Sequence, residues 1–126
     1  MCYELELPFP PTLNHYRLPV IRRTKAGKQY ASFITSPDGV AYKAKIRTDA
    51  KNPPGYECDV HVSLVFFPKT KAKFDLDNFL KPLFDGLTEA GVWKDDSQVW
   101  SMYVEKGEVV KGGKVFIKIS KITKGN

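Results

Sequence analysis

Between Phe74 and Val99 the chain reads FDLDNFLKPLFDGLTEAGVWKDDSQV. Asp77, Lys81 and Asp85 recur every four residues, whereas Phe79, Leu80, Leu83, Phe84 and Leu87 fall at i, i+1, i+4, i+5 and i+8. A helical period puts these two sets on different faces, one docked and one presented to solvent. Pro82 suits such a helix in its first turn, where the missing N–H removes no intrahelical bond. Regular helix is therefore expected to begin between Asn78 and Lys81, with Asp77 or Asn78 as N-cap. Gly91, after Ala90, has the position of a glycine that stops a helix. A return through Trp93 and Lys94 would then bring Asp95 and Asp96 beside Asp75 and Asp77.

Upstream, ECDVHVSLVFF (Glu57–Phe67) alternates, with Cys58, Val60, Val62, Leu64 and Phe66 on one face, and reads as a strand whose first face is core. His61 falls on the other face with Asp59 and Ser63, as an exposed or satisfied side chain. Pro68 ends the strand ahead of a lysine-rich loop, Lys69, Lys71 and Lys73. Downstream, Gln98 to Val110 and Lys114 to Ile122 read as two strands joined in a hairpin at Lys111, Gly112 and Gly113.

Cys2 to Leu7 is a half-buried strand, with Tyr3, Leu5 and Leu7 opposite Glu4 and Glu6, closed by Pro8, Pro10 and Pro11. Asn14, His15, Tyr16 and Arg17 read as a loop, and His15 has no partner at a chelating spacing. Arg22, Arg23, Lys25 and Lys28 surround Gly27 and precede the strand-like Gln29 to Ile34, which predicts a hairpin or a flexible loop with a positive tip. Ser36, Pro37 and Asp38 carry helix-start chemistry. Val40, Ala41, Ala44 and Ile46 form the expected apolar stripe of that helix, and Tyr42, Lys43, Lys45 and Arg47 its outer face, up to about Ala50. The order strand, hairpin, helix, strand, helix, two strands predicts an α+β domain spanning 1–126, with two main helices on a mixed or antiparallel sheet.

Composition narrows the function classes. An apolar content of 42% and aromatic content of 13% exclude a disordered tail, and two cysteines exclude a disulfide framework. Both thiols are expected to be reduced in a cytoplasmic protein, and nothing reads as a secretory or membrane segment. The net charge of +6 includes the acidic stretch above, so the remaining surface is more basic still and favours a polyanionic partner.

Four carboxylates, Asp75, Asp77, Asp95 and Asp96, brought into a small volume repel one another, and a bound cation is the usual remedy. The donors are hard oxygens without cysteine or histidine, which favours Mg²⁺, with Mn²⁺ as a substitute, over Zn²⁺. Trp93 is expected to anchor the returning loop in the core.

DLDNFLKPLFDGLTEAGVWKDDSQV closely resembles the motif region of the RusA family of Holliday-junction resolvases, and LPFPPTLNHYR and KGGKVFIKI extend the resemblance toward both ends. The resemblance implies a magnesium-dependent endodeoxyribonuclease, encoded by bacteria or prophages and associated with the nucleoid. It implies Asp75, Asp77 and Asp96 as metal ligands, with Asp95 as a further candidate, and Lys81 as a catalytic assistant. It also implies a homodimer acting on four-way DNA junctions in recombination and repair, with no protein partner beyond itself. It places Asn14, Tyr16 and Arg17 near the active site as DNA contacts, to which the basic pattern adds Arg22, Arg23, Lys69, Lys71 and Lys73. Lysines stand before Asp75 where arginines are expected. Two alternatives are a flap- or fork-selective nuclease and a non-catalytic basic module that binds branched DNA.

Overall fold

The computed structural model describes residues 2–122. In chain order its elements are β1 (Cys2–Leu7), α1 (Leu13–Tyr16), β2 (Arg17–Arg23), β3 (Gln29–Thr35), α2 (Pro37–Asp49), β4 (Val60–Phe67), α3 (Leu80–Glu89), β5 (Val99–Lys106) and β6 (Lys114–Lys121). Two 3₁₀ turns, Leu76–Phe79 and Asp96–Gln98, bracket α3. The architecture is α+β, a four-stranded mixed sheet in the order β1-β6-β4-β5 beside a separate β2-β3 hairpin.

β4 organises the sheet because its alternation is complete. Val60, Val62, Leu64 and Phe66 are each 0% exposed, and Val115, Ile117 and Ile119 of β6 match them from the neighbouring strand. Leu83, Phe84 and Leu87 of α3 and Tyr42 and Ile46 of α2 close the same core. At about 25 cal/mol per Å² of apolar surface removed from water, this core is the main favourable contribution to folding. β4 runs antiparallel to β6 and parallel to β5, so β4, α3 and β5 form a βαβ crossover. The isolated bridge between Tyr56 and Trp93 continues the parallel direction upstream of β4.

The structure corrects several expectations. β5 and β6 do not form a hairpin, because β4 lies between them. The connecting segment crosses the end of β4, held by Gly107 N–H on the Phe66 carbonyl (2.8 Å) and Val110 N–H on the Pro68 carbonyl (2.9 Å). A strand as apolar as β4 needs a neighbour on both edges, and the two glycines serve a turn of this connection instead, at φ of 80° and 70°. β4 starts at Val60, not Glu57, and Cys58 is only partly buried. In α2 the faces differ from the expected ones: Tyr42 is buried, its hydroxyl donating to the Pro8 carbonyl at 2.7 Å, while Val40 is exposed. Ser36 caps α2 as expected, accepting from Gly39 N–H at 3.0 Å. The segment read as a loop at Asn14 is the one-turn helix α1, capped by Thr12, and Arg17 begins β2.

Candidate active site

β4 runs out at Phe67 and Pro68 into the lysine loop, and Phe74 then fixes the chain. Its ring meets Phe9 at 5.6 Å and Phe79 at 5.6 Å, and Phe9 meets Phe79 at 4.8 Å, all edge to face. Aromatic pairs favour this geometry because a positive ring edge meets a negative face. Asp75 follows directly, and the 3₁₀ turn that begins at Leu76 carries Asp77 and Asn78. Asp75, Asp77 and Asn78 are exposed. Neither Asp77 nor Asn78 caps α3. Its N-cap is Phe79, with no side-chain bond, because the 3₁₀ turn runs straight into the helix.

The other end of α3 delivers the second acidic pair. Gly91 N–H bonds the Thr88 carbonyl and Val92 N–H the Leu87 carbonyl, both at 3.1 Å, with Gly91 at φ 84°. That bond pair is the Schellman motif, which requires a left-handed residue and so favours glycine. Val92 and Trp93 then sink into the core, and Trp93 Nε1–H donates to Thr88 Oγ1 at 2.7 Å. Trp93 also meets Phe84 edge to face at 5.6 Å.

Asp95 caps the next 3₁₀ turn through a capping box. Its carboxylate accepts from Ser97 N–H at 3.0 Å, and Gln98 Oε1 accepts from the N–H groups of Lys94 (2.9 Å) and Asp95 (3.0 Å). Gln98 Nε2 donates to the carbonyls of Tyr56 and Cys58, each at 2.8 Å. Gln98 therefore ties the acidic pair to the strand entry, a role the sequence reading missed although the spacing Asp95-x-x-Gln98 was visible. The Ser97 bonds, aided by the charge of Lys81, hold the Asp95 carboxyl below its usual range. With Asp95 committed to the cap, Asp96 is the member of the pair whose carboxylate is unengaged among the described residues.

Between the two ends lies Lys81, whose ammonium donates to Asp85 at 2.8 Å. The other Asp85 oxygen accepts from the Tyr16 hydroxyl at 2.8 Å. Tyr16 is 3% exposed, so it is not a surface DNA contact as predicted; it packs α1 against α3 and fixes Asp85. Burial pushes its hydroxyl from 10.0 up to about 12, with the Lys43 charge pulling down and Asp85 pushing up. Lys43 lies 5.5 Å over the Tyr16 ring and pairs with Glu89. Asp85 was not among the predicted site residues, though its helical spacing from Lys81 was.

These groups form two depressions rather than one. The first, about 210 Å³, is lined by Lys81, Asp85, Thr88, Glu89, Asp95 and Asp96. The second is lined by Thr12, Lys73, Phe74, Asp75, Asn78 and Phe79, and Asp77 lines neither. The expected convergence of four carboxylates is therefore not present: among the described residues no three acidic, histidine or cysteine side chains are close enough to hold a metal together. The Schellman turn returns Asp95 and Asp96 beside α3, where they share a depression with Lys81, Asp85, Thr88 and Glu89 and not with Asp75.

The donor chemistry nevertheless fits a hard cation. The carboxylates of Asp75, Asp77 and Asp96 make no hydrogen bond or ion pair among the described residues, and Mg²⁺ ordinarily takes only one or two protein carboxylates. Of the basic residues predicted to contact DNA, Lys73 lines the depression with Asp75, and the others line neither depression. Asn14, Arg17, Arg22, Arg23, Lys69, Lys71 and Lys73 are all exposed, and none of these cations pairs with a carboxylate among the described residues. Arg17 instead lies 4.5 Å over the Phe33 ring. Among the described residues no helix is long and apolar enough to cross a membrane.

A family model described as endodeoxyribonuclease RusA matches residues 9–120. A protein of Escherichia coli strain K12 named crossover junction endodeoxyribonuclease RusA is 32% identical over 123 residues, covering 95% of each chain. Proteins of the same name from Shigella sonnei strain Ss046 and Enterobacteria phage 82 match with the same identity and coverage.

Proposed function

Because the chain belongs to the RusA family of endodeoxyribonucleases, we propose that it resolves four-way DNA junctions by paired, symmetric, magnesium-dependent nicks. It acts in recombination and repair in the cytoplasm of a bacterium, on the nucleoid, with a prophage as one source of the gene. The observation that carries this reading is the set of unengaged carboxylates, Asp75, Asp77 and Asp96, the last sharing a depression with Lys81, on a chain of net charge +6. A surface that draws in phosphates but carries bare carboxylates repels them locally until a cation lies between.

Asp75, Asp77 and Asp96 are the residues that would hold magnesium, or manganese in its place, with Asp95 turned to its cap. When bound, the ion neutralises phosphate charge and makes a coordinated water more acidic. The chain's own contribution is positional. Tyr16 and Lys81 occupy both oxygens of Asp85, so the Lys81 ammonium stands at the rim of the acidic depression, ready to meet charge developing on the phosphate. Attack by water forms one P–O bond as another breaks, and the departing alkoxide takes a proton. Arg17, Arg22, Arg23, Lys69, Lys71 and Lys73 hold flanking phosphates, and exposed Asn14 adds a polar contact. Two symmetric nicks require two such sites, which a twofold homodimer supplies.

The test is cleavage of an end-labelled four-way junction and its matched linear duplex, with Mg²⁺ or EDTA, by wild type and Asp77→Asn. Paired nicks in the junction only, with metal only and by wild type only, are expected. Equal cutting of flaps and forks would move the substrate to those structures. Junction binding without nicking under any condition would leave a binding module.

A further inference from the structure

We propose that the cavity under the lysine loop is a pocket for one nucleobase unstacked from the DNA, a site that rests on the branched-DNA reading and adds to it. The cavity measures about 310 Å³, and Phe9, Phe74 and Phe79 line it, with Lys69 and Lys73 also contributing to its wall. Phe9 and Phe74 are only half-buried, although three edge-to-face contacts hold the rings in place. Behind them Phe66 is 0% exposed, so the rings are seated on a closed core and present a rigid apolar wall.

Charge says which occupant fits. Lys69, Lys71 and Lys73 are exposed and unpaired with any carboxylate among the described residues, and the Lys106 ammonium lies 4.5 Å over the Phe74 ring. An apolar ligand carried on a polyanion satisfies both features, with the ring in the cavity and its flanking phosphates on the lysines. Position agrees with chemistry. Lys73, Phe74 and Phe79 wall both this cavity and the depression that holds Asp75, so an occupant lies one side chain away from Asp75. A base at a branch point is the least costly to extrude, since it has already lost part of its stacking. A pocket here therefore favours branched over continuous duplex.

The experiment measures binding in EDTA of a fluorescent duplex bearing a single bulged thymine, and of the same duplex with an abasic site at the bulge. Wild type is expected to prefer the thymine by about 5- to 150-fold, the range for one base stacked on an aromatic side chain. Phe74→Ala is expected to bring the ratio close to one, Phe74→Trp to retain it, and neither to change binding of an unbulged duplex. Phe9→Ala, on a different segment, repeats the test should Phe74→Ala not fold. A wild-type ratio near one, or a ratio that neither alanine variant alters, overturns the pocket. If such a protein still nicks four-way junctions with Mg²⁺, only the pocket fails. A clear thymine preference without nicking under any condition would keep the pocket and sink the nuclease reading.

Discussion

Gly86 lies where α3 crosses α2, and the packing there sets how the Lys81 face is presented. A Cβ added at Gly86 would fall under 3.0 Å from Ile46 Cδ1, and Ile46 is 0% exposed, so it has no empty space to turn into. Overpacking a closed core costs about 1–3 kcal/mol, and a collision with a fully enclosed side chain belongs at about 3. Alanine recovers about 1 kcal/mol over glycine in a helix interior. Gly86→Ala is therefore expected to destabilise by about 2 kcal/mol net. Ile46→Val deletes the colliding methyl at a cost of about 1 kcal/mol by itself. In the double variant the nearest remaining neighbour is Cγ1 at 3.4 Å, an ordinary contact. The double variant should then lie within about 1 kcal/mol of wild type, where simple addition gives about 3 kcal/mol of loss. Urea unfolding with a shared m-value reads these differences directly, and thermal midpoints should move by roughly 4 °C per kcal/mol. Additive losses, or a Gly86→Ala protein as stable as wild type, would refute the close helix crossing as the reason for glycine.

Tyr16→Phe removes the hydroxyl bond to Asp85 and should cost about 2 kcal/mol, the range for a bond to a charged acceptor. Because folding raises the Tyr16 hydroxyl above its unfolded 10.0 to about 12, the stability it contributes is whole below pH 10 and is lost as pH rises through 12; urea midpoints across that window should fall less steeply in Tyr16→Phe. Buried Tyr42, also raised chiefly by desolvation, should keep its own share of the alkaline loss in that variant. Replacing Arg22, Arg23, Lys25 and Lys28 with alanine should reduce the slope of log affinity against log salt by about 0.9 for each phosphate contact removed, measured by binding titrations on one junction. Gln98→Ala should raise the Mg²⁺ concentration needed for half-maximal cleavage by about 10- to 100-fold, the usual effect of losing a group that orients a metal ligand; an unchanged requirement would show that the pair needs no such tether.

What the sequence could reveal followed from how local each signal is. The boundaries of α3, the stop at Gly91, the cap at Ser36 and the β2-β3 hairpin all depend on residues within one or two turns of the feature, and each was readable. The pairing of β5 and β6 was not, because a Gly-Gly turn reports a bend and not the strand that lies beyond it. Only the demand of β4 for two neighbours, a property of the whole sheet, separates the two strands. Tyr42 and Tyr16 were misplaced for a related reason. Tyr42 was read on the outer face of a helix and Tyr16 in a loop near the substrate, and local pattern does not reveal that a distant acceptor, the Pro8 carbonyl or Asp85, lies within reach of each hydroxyl. The acidic residues were expected to converge, while their grouping into two depressions depends on where the Schellman turn returns the chain.

That grouping has a consequence for how the acids work together. Asp96 stands on a turn tied through Gln98 to two backbone carbonyls at the entry to β4, so the sheet itself holds its position. Asp75 and Asp77 stand on a 3₁₀ turn with no side-chain cap, anchored through Phe74, Leu76 and Phe79. One acid is thus fixed and two are on a segment with fewer restraints, with the Lys81–Asp85–Tyr16 chain between them. Repulsion among unengaged carboxylates favours separation when no cation is present, and a cation reverses the sign of that force. The less restrained turn is the one able to respond at small cost, since moving it breaks no cap. Were Asp75, Asp77 and Asp96 of one chain to share an ion, the Asp75–Asp77 segment would have to move toward Asp96, while the βαβ crossover, the Schellman turn and the Gln98 tether would stay as they are.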